Sequence, residues 1–212
     1  MKLFTVIILV SFLPLWRNIQ DITEANVPVV ETIKSESIRS VHDANQNSVV
    51  LETTKQVLIA IKNKDYTKFA SYIHPVSGIR FSPYASIDTT VDIKFSHEKF
   101  SEAANKRDEL IWGYYDGSGD TIRLSVDNYF NKFVYNHDFL NAEKTSLSKI
   151  TGKGNSTNNL EEVYSGCVCT ESYFSGFDKK YDGMDWESLR LVYKKYGARY
   201  LLVGIVHDQW TI

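Results

Sequence analysis

The chain has 212 residues, 43% hydrophobic and 24% charged, which is enough to bury one substantial core. Its formal net charge of -2 comes from basic and acidic residues interleaved along the chain, so no basic stripe faces a phosphate backbone and nucleic acid is excluded as an expected partner. The 13 Tyr and 11 Phe suit twisted sheets and pocket walls and lean the expectation toward a sheet-rich fold.

The amino terminus, MKLFTVIILVSFLPLWRNIQDITEA, has Lys2, an uncharged apolar stretch over residues 3–16, and Arg17. That length matches a secretory signal better than a spanning helix, which needs about 20 apolar residues. Residues 1–25 are therefore expected to act as a signal peptide or an uncleaved anchor. The protein is expected to be exported to the periplasm, cell surface or medium. No Cys follows the stretch, so lipid attachment has no acceptor there. Residues 26–46 are polar without a sustained period and are expected to be a linker to a single domain over 47–212.

From Asn47 the pattern changes. Val50, Leu51, Val57, Leu58 and Ile61 fall at helical spacing and predict a helix over about 48–62. NKD breaks it, and Asp65 is placed to cap a second short helix that ends at His74-Pro75, the two packing as a hairpin. GIRFSPYASI, bounded by Gly78 and interrupted by Pro83, reads as an edge or irregular strand. Ser96 opens a short helix, with Phe95 and Phe100 placed to meet across its first turn. LIWGYYDGSGDTIRL reads as a hairpin about DGSG, and Ser125 or Asp127 caps DNYFNKFVY. The last third supplies strands in TSLSKIT, CVCTESYF and SLRLVYKKYGARYLLVGIVHDQW, with residues 188–195 and 199–209 as the clearest hairpin. Two polar loops, GKGNSTNN and SGFDKKYDGMDW, separate them.

Helices first, a mixture next and long consecutive strands last predict an α+β fold with helices on one face of a curved, mainly antiparallel sheet. On the turn-broken helix pair AIKNKDYTKFASYIHP and the closing hairpins, the chain resembles the nuclear transport factor 2-like, cystatin-like cone fold. The combination of HPVSGIRFSPY, WGYYDGSG, FVYNHDF, GKGN, GMDWESLRLV and VGIVHDQWTI is similar to a family of exported bacterial proteins of unknown function, over residues 47–212. The resemblance implies the cone fold alone and leaves the activity open. It also implies that a homodimer through the outer sheet face is open to the chain.

The closing strand carries the first chemical candidates. Strand parity sets His207 with Leu201, Val203, Ile205 and Gln209, and Asp208 with Tyr200, Leu202, Val206 and Trp210, so the sequence neighbours are not a dyad. One of them is expected at the mouth of a pocket. In HPVSGIRFSPY, Arg80, Ser82 and Tyr84 share a face on an extended segment and could hold a carboxylate or phosphate. A structural role, with Arg80 paired to Asp88 or Asp92, weighs against this. His74, His207 and Asp208 are the acid-base candidates, and Arg80, Tyr84, Trp112 and Trp210 the ligand-binding ones. Cys167 and Cys169 sit near the outer limit for a disulfide on an extended strand and show no ligand spacing with the five His, so no metal or cofactor is expected. GKGN lacks the phosphate-loop spacing, DGSGD lacks the later Glu of a calcium loop, and no GxSxG, HExxH or dinucleotide fingerprint is present.

Two functions follow as expectations. The first is a non-catalytic envelope module that binds a small molecule or an envelope protein. The alternative is a small hydrolase or isomerase with acid-base residues in the cone pocket, an inference from fold analogy.

Overall fold

The computed structural model describes residues 28–211, so the expected export segment lies outside the described residues. The chain divides into two compact units, Met1–Val41 and His42–Ile212. In the first, the described residues 28–41 are helical. Helix α1 (Pro28–Lys62) begins well before residue 48, so residues 28–46 of the stretch expected to be a linker are helical. Pro28 suits a first helical position, and no Gly or further Pro interrupts residues 29–46. The apolar residues of that segment, Val29, Val30, Ile33, Ile38 and Val41, are few and spaced unevenly among polar ones, so it does not read as a sustained helical period. No described helix is long and apolar enough to cross a membrane.

In the second unit the apolar stripe of α1, formed by Val50, Val57, Leu58 and Ile61, is buried. Within that stripe, the Thr54 hydroxyl donates to Tyr193 Oη at 2.9 Å, tying the helix to a strand 139 residues away. The short elements follow their caps. Asp65 accepts from the Lys68 amide to start α2 (Tyr66–Ala70), and Ser96 accepts from the Lys99 amide to start α3 (His97–Lys106). Ser125 accepts from the Asn128 amide to start α4 (Val126–Tyr129), which continues into a π-helical turn over Phe130–Val134. Phe95 and Phe100 meet with ring centroids 6.0 Å apart.

The strands are β1 (Ile79–Ser82), β2 (Lys94–Phe95), β3 (Leu110–Tyr114), β4 (Thr121–Leu124), β5 (Lys144–Leu147), β6 (Val168–Phe174), β7 (Glu187–Tyr196) and β8 (Arg199–Gln209), with α5 (Leu160–Val163) before β6. Six of them form one sheet in the order β2-β1-β8-β7-β6-β5, while β3 and β4 form the separate hairpin. Every pairing in the large sheet is antiparallel except β1 with β8. Thus β1 is not at an edge, and of the two readings of GIRFSPYASI the irregular strand fits: only Ile79–Ser82 pair, and Pro83 falls just after them, where it removes no ladder hydrogen bond. The fold is α+β, with α1 to α4 on one face of a mainly antiparallel sheet that bends at a bulge between Val192 and Tyr193, and the single turn of α5 on the other.

Parity divides the sheet on either side of that bulge, which switches the alternation in β8: Tyr200 and Leu202 join the inner side with His207, and Val203 the outer side with Asp208, the reverse of the expected grouping. Leu189, Leu191, Tyr193, Ile205, Ile79 and Phe81 point to the helical, inner side and join the main core. Phe69, Phe81, Phe100 and Phe130 pack there at centroid distances of 4.9–6.4 Å, edge-on or tilted except for Phe81 stacked on Phe100, with Trp112 stacked on Tyr129 at 3.8 Å. Val192 and Val206 point outward into a second, smaller cluster with Ile87, Leu160 and Val203. The segment over residues 148–167 therefore forms a cover on the outer face.

Candidate functional site

Beneath that cover lies a buried charge network. In the ladder, Glu171 of β6 is opposite Arg190 of β7, and Ser188 of β7 is opposite Asp208 of β8, so all four side chains share the outer face. Arg190 is fully buried, and Glu171 and Asp208 are 1% and 3% exposed. Arg190 Nε donates to Glu171 Oε1 at 3.1 Å, and its Nη2 donates to Asp208 Oδ2 at 2.5 Å and to the Gly152 carbonyl at 3.0 Å. Glu171 also accepts from the Thr151 and Gly152 amides, at 2.5 and 3.3 Å. Two carboxylates thus share one guanidinium, and Glu171 has the fuller set of donors. Burial pushes the Asp208 carboxyl above its ordinary range, opposed by Arg190.

The strap over residues 151–154 can lie this close because of its glycines. A Cβ at Gly152 would come within 2.6 Å of the Trp186 ring, and one at Gly154 within 3.1 Å of it. Between this strap and α5 an open cleft of about 690 Å³ reaches down to Asp208, within the size range of small-molecule sites. Several polar side chains along its wall are engaged in holding the loop. Asn159 donates to the Ile87 carbonyl and accepts from the Ile87 amide, and the Asn158 amide oxygen accepts from the Leu160 amide. Ser156 meets the Thr211 hydroxyl at 3.3 Å. Lys153, Glu161 and Glu162 also line the cleft.

A neighbouring cleft of about 470 Å³ is lined by Tyr164, Cys167 and Cys169. Both cysteines are free, and burial pushes the Cys169 thiol up to about 12 and raises that of Cys167. Such thiols stay protonated at neutral pH and are poor nucleophiles and ligands. Among the described residues no group of three or more His, Cys, Asp and Glu side chains could hold a metal ion.

The residues singled out from sequence are dispersed. His74 is buried, and its Nδ1 accepts from the amides of Val76 and Ser77, closing a turn, while its own amide donates to the Leu202 carbonyl. From Leu202 to His207 is about 16 Å along β8. His207 faces inward and is fully buried, with Phe133 edge-on at 5.8 Å and Gln209 Oε1 at 3.1 Å from Nε2. Burial, the largest cause in each case, lowers the pKa of both histidines. Asp208 faces the opposite side from His207. Arg80 Nη1 donates to the backbone carbonyls of Thr89 and Asp92, at 3.0 and 2.8 Å, rather than to a carboxylate. Tyr84 is half-buried against the main core near Phe133, and Trp112 is fully buried with Nε1 donating to the Leu124 carbonyl. Trp210 is 43% exposed just beyond the end of β8.

Sequence reasoning passed over Glu171 and Arg190. Each stands mid-strand, in CTESYF and SLRLV, where a charge is buried only if paired, and opposite charges at the centres of consecutive strands were the available signal.

No protein-family model matches the chain, and no curated protein does. Among solved structures the chain is similar to a designed NTF2-like protein titled Rd1NTF2_05, with 11% identity and a TM-score of 0.31, over 77% of this chain and 99% of that one. At that score the likeness carries no argument, and the α+β assignment rests on the strand order and the helices packed on the inner face.

Proposed function

We propose that residues 42–212 are a non-catalytic binding domain of an exported, cell-envelope protein, and that it holds a small molecule in the cleft over Asp208. The observation that carries this reading is a carboxylate at the cleft floor fixed by a fully buried arginine. Charged groups placed this way on a rigid sheet serve recognition well, because their orientation is set before the ligand arrives. The export half of the reading rests on the apolar stretch over residues 3–16.

A hydrolase or isomerase built on His74, His207 and Asp208 has less support. His74 and His207 are far apart along β8, and Asp208 opens on the other face, so the three cannot reach one reacting atom. The direct test is native mass spectrometry of the protein purified from its own source, beside the Asp208→Ala variant. A small-molecule adduct lost from the variant is the expected result. An adduct retained undiminished in the variant would remove the cleft from the reading, and the same spectra show whether residues 1–25 are absent from the mature chain.

A further inference from the structure

Three further polar atoms lie buried without a partner in the protein, on residues that sit behind the cleft lining rather than in it: Arg190 Nη1, Ser188 Oγ and Thr151 Oγ1. Ser188 is directly opposite Asp208 on the same face of the sheet, Thr151 belongs to the strap, and the guanidinium that carries Nη1 already touches two residues of the cleft wall, Gly152 and Asp208, through Nη2. Buried polar groups are normally satisfied, so three orphans on residues joined to the Glu171-Arg190-Asp208 network or opposite it mark a place able to receive polar atoms.

The chemistry of those atoms discriminates among ligands. Nη1 can only donate, Asp208 as a carboxylate can only accept, and the two hydroxyls can do either. An ammonium would serve Asp208 and face Arg190. A phosphate or carboxylate would serve Arg190 and face Asp208, Glu171, Glu161 and Glu162, with Lys153 the opposing cation on the cleft wall. A hydroxyl accepts from the guanidinium and donates to the carboxylate at once, and two adjacent hydroxyls do so for both. We infer that the cleft takes a neutral polyhydroxylated molecule, a sugar or polyol, with one hydroxyl pair read by Asp208 and Arg190 and a further contact from Ser188. This deepens the binding reading above and rests on it. Entry to Ser188 and Arg190 requires the 151–154 strap to part from Trp186, against the two amide hydrogen bonds that it gives Glu171.

The test uses the whole domain-bearing chain and follows the amide NMR signals of Gly152 and Gly154 during titration with D-glucose, myo-inositol, spermidine and inorganic phosphate in turn. Saturable shifts with glucose or inositol, and none with spermidine or phosphate, are expected. Ser188→Ala, a small change that leaves the charge network intact, should weaken polyol binding about three- to tenfold, the value of one hydrogen bond. Asp208→Asn should weaken it more, and if that variant does not fold, Ser188→Ala still decides. Saturation by spermidine or phosphate but not by a polyol overturns the ligand class and leaves the cleft as a binding site. No saturable shift with any probe, as expected of a floor satisfied by water alone, also overturns the inference. In that case an adduct in the native spectra would still uphold the broader binding reading, and its absence would remove that as well.

Discussion

Arg190 and Asp208 meet through a 2.5 Å hydrogen bond between adjacent strands, with side chains 0% and 4% exposed. The contact is diagonal: Asp208 is opposite Ser188, and Arg190 is opposite Val206, so the guanidinium reaches two positions along β8 while its Nε holds Glu171 on the other flank. Removing the cation would leave two buried carboxylates, which is far costlier than the pair itself is stabilising. Arg190→Met should therefore cost about 3–5 kcal/mol, whereas Asp208→Asn, which keeps an oxygen for Nη2, should cost about 1–2 kcal/mol. Urea unfolding of both variants measures this, and an Arg190→Met protein as stable as the wild type would contradict it.

His207 supplies a pH test on the inner face. Burial holds its imidazole below the ordinary value of 6.5, with Glu187 and Gln209 opposing. The unfolded chain then binds a proton near pH 6.5 that the native chain refuses, so the stability contributed by neutral His207 is present above that pH and lost as the pH falls below it. In His207→Gln the loss of stability between pH 7 and 5 should be shallower than in the wild type. Chemical denaturation at stepped pH gives the two slopes, and equal slopes would count against a neutral buried imidazole.

Asp92 should behave in the opposite sense. Burial pushes its carboxyl up from 3.8 to about 6, against the Ser82 hydroxyl, the Asp88 amide and Arg80. The native state holds a proton between those values that the unfolded state has released, so this group's contribution is present below about pH 4 and lost as the pH rises through about 6. Asp92→Asn should gain stability relative to the wild type on going from pH 4 to pH 7. Paired unfolding curves at the two pH values check the sign.

Gly204 tests how the cover is seated. A Cβ there would collide with the Tyr164 phenol, so Gly204→Ala must displace that ring and loosen the adjoining end of α5 on the outer face. Overpacking of this kind costs about 1–3 kcal/mol. It should also speed the reaction of Cys169, which packs against the same small cluster, with a thiol reagent. Unchanged labelling with an unchanged melting temperature would show that α5 is not held there.

Much of the fold was legible because the signals for it are local. Asp65, Ser96 and Ser125 cap the helices that follow them, and the runs at 187–196 and 199–209 pair as the alternation and turn residues require. The start of α1 was not legible, since its few apolar residues, Val29, Val30, Ile33, Ile38 and Val41, are diluted by polar ones and form no sustained period. The placement of β1 was hidden for a different reason. Its neighbour β8 lies more than 100 positions along the chain, and short-range pattern carries nothing about a parallel partner so distant.

For the candidate site the division is sharper. The sequence by itself determined that His207 and Asp208 point to opposite faces, because side chains on an extended strand alternate. Only the tertiary structure decided which face is which: the aromatic side chains of the helical layer pack against His207, while a loop with glycines where it crosses Trp186 covers Asp208. It also decided that Glu171, Arg190 and Asp208 form one network. Charge at mid-strand announces that a partner must exist, but the register between strands, set by the burial of whole faces, selects which residue it is.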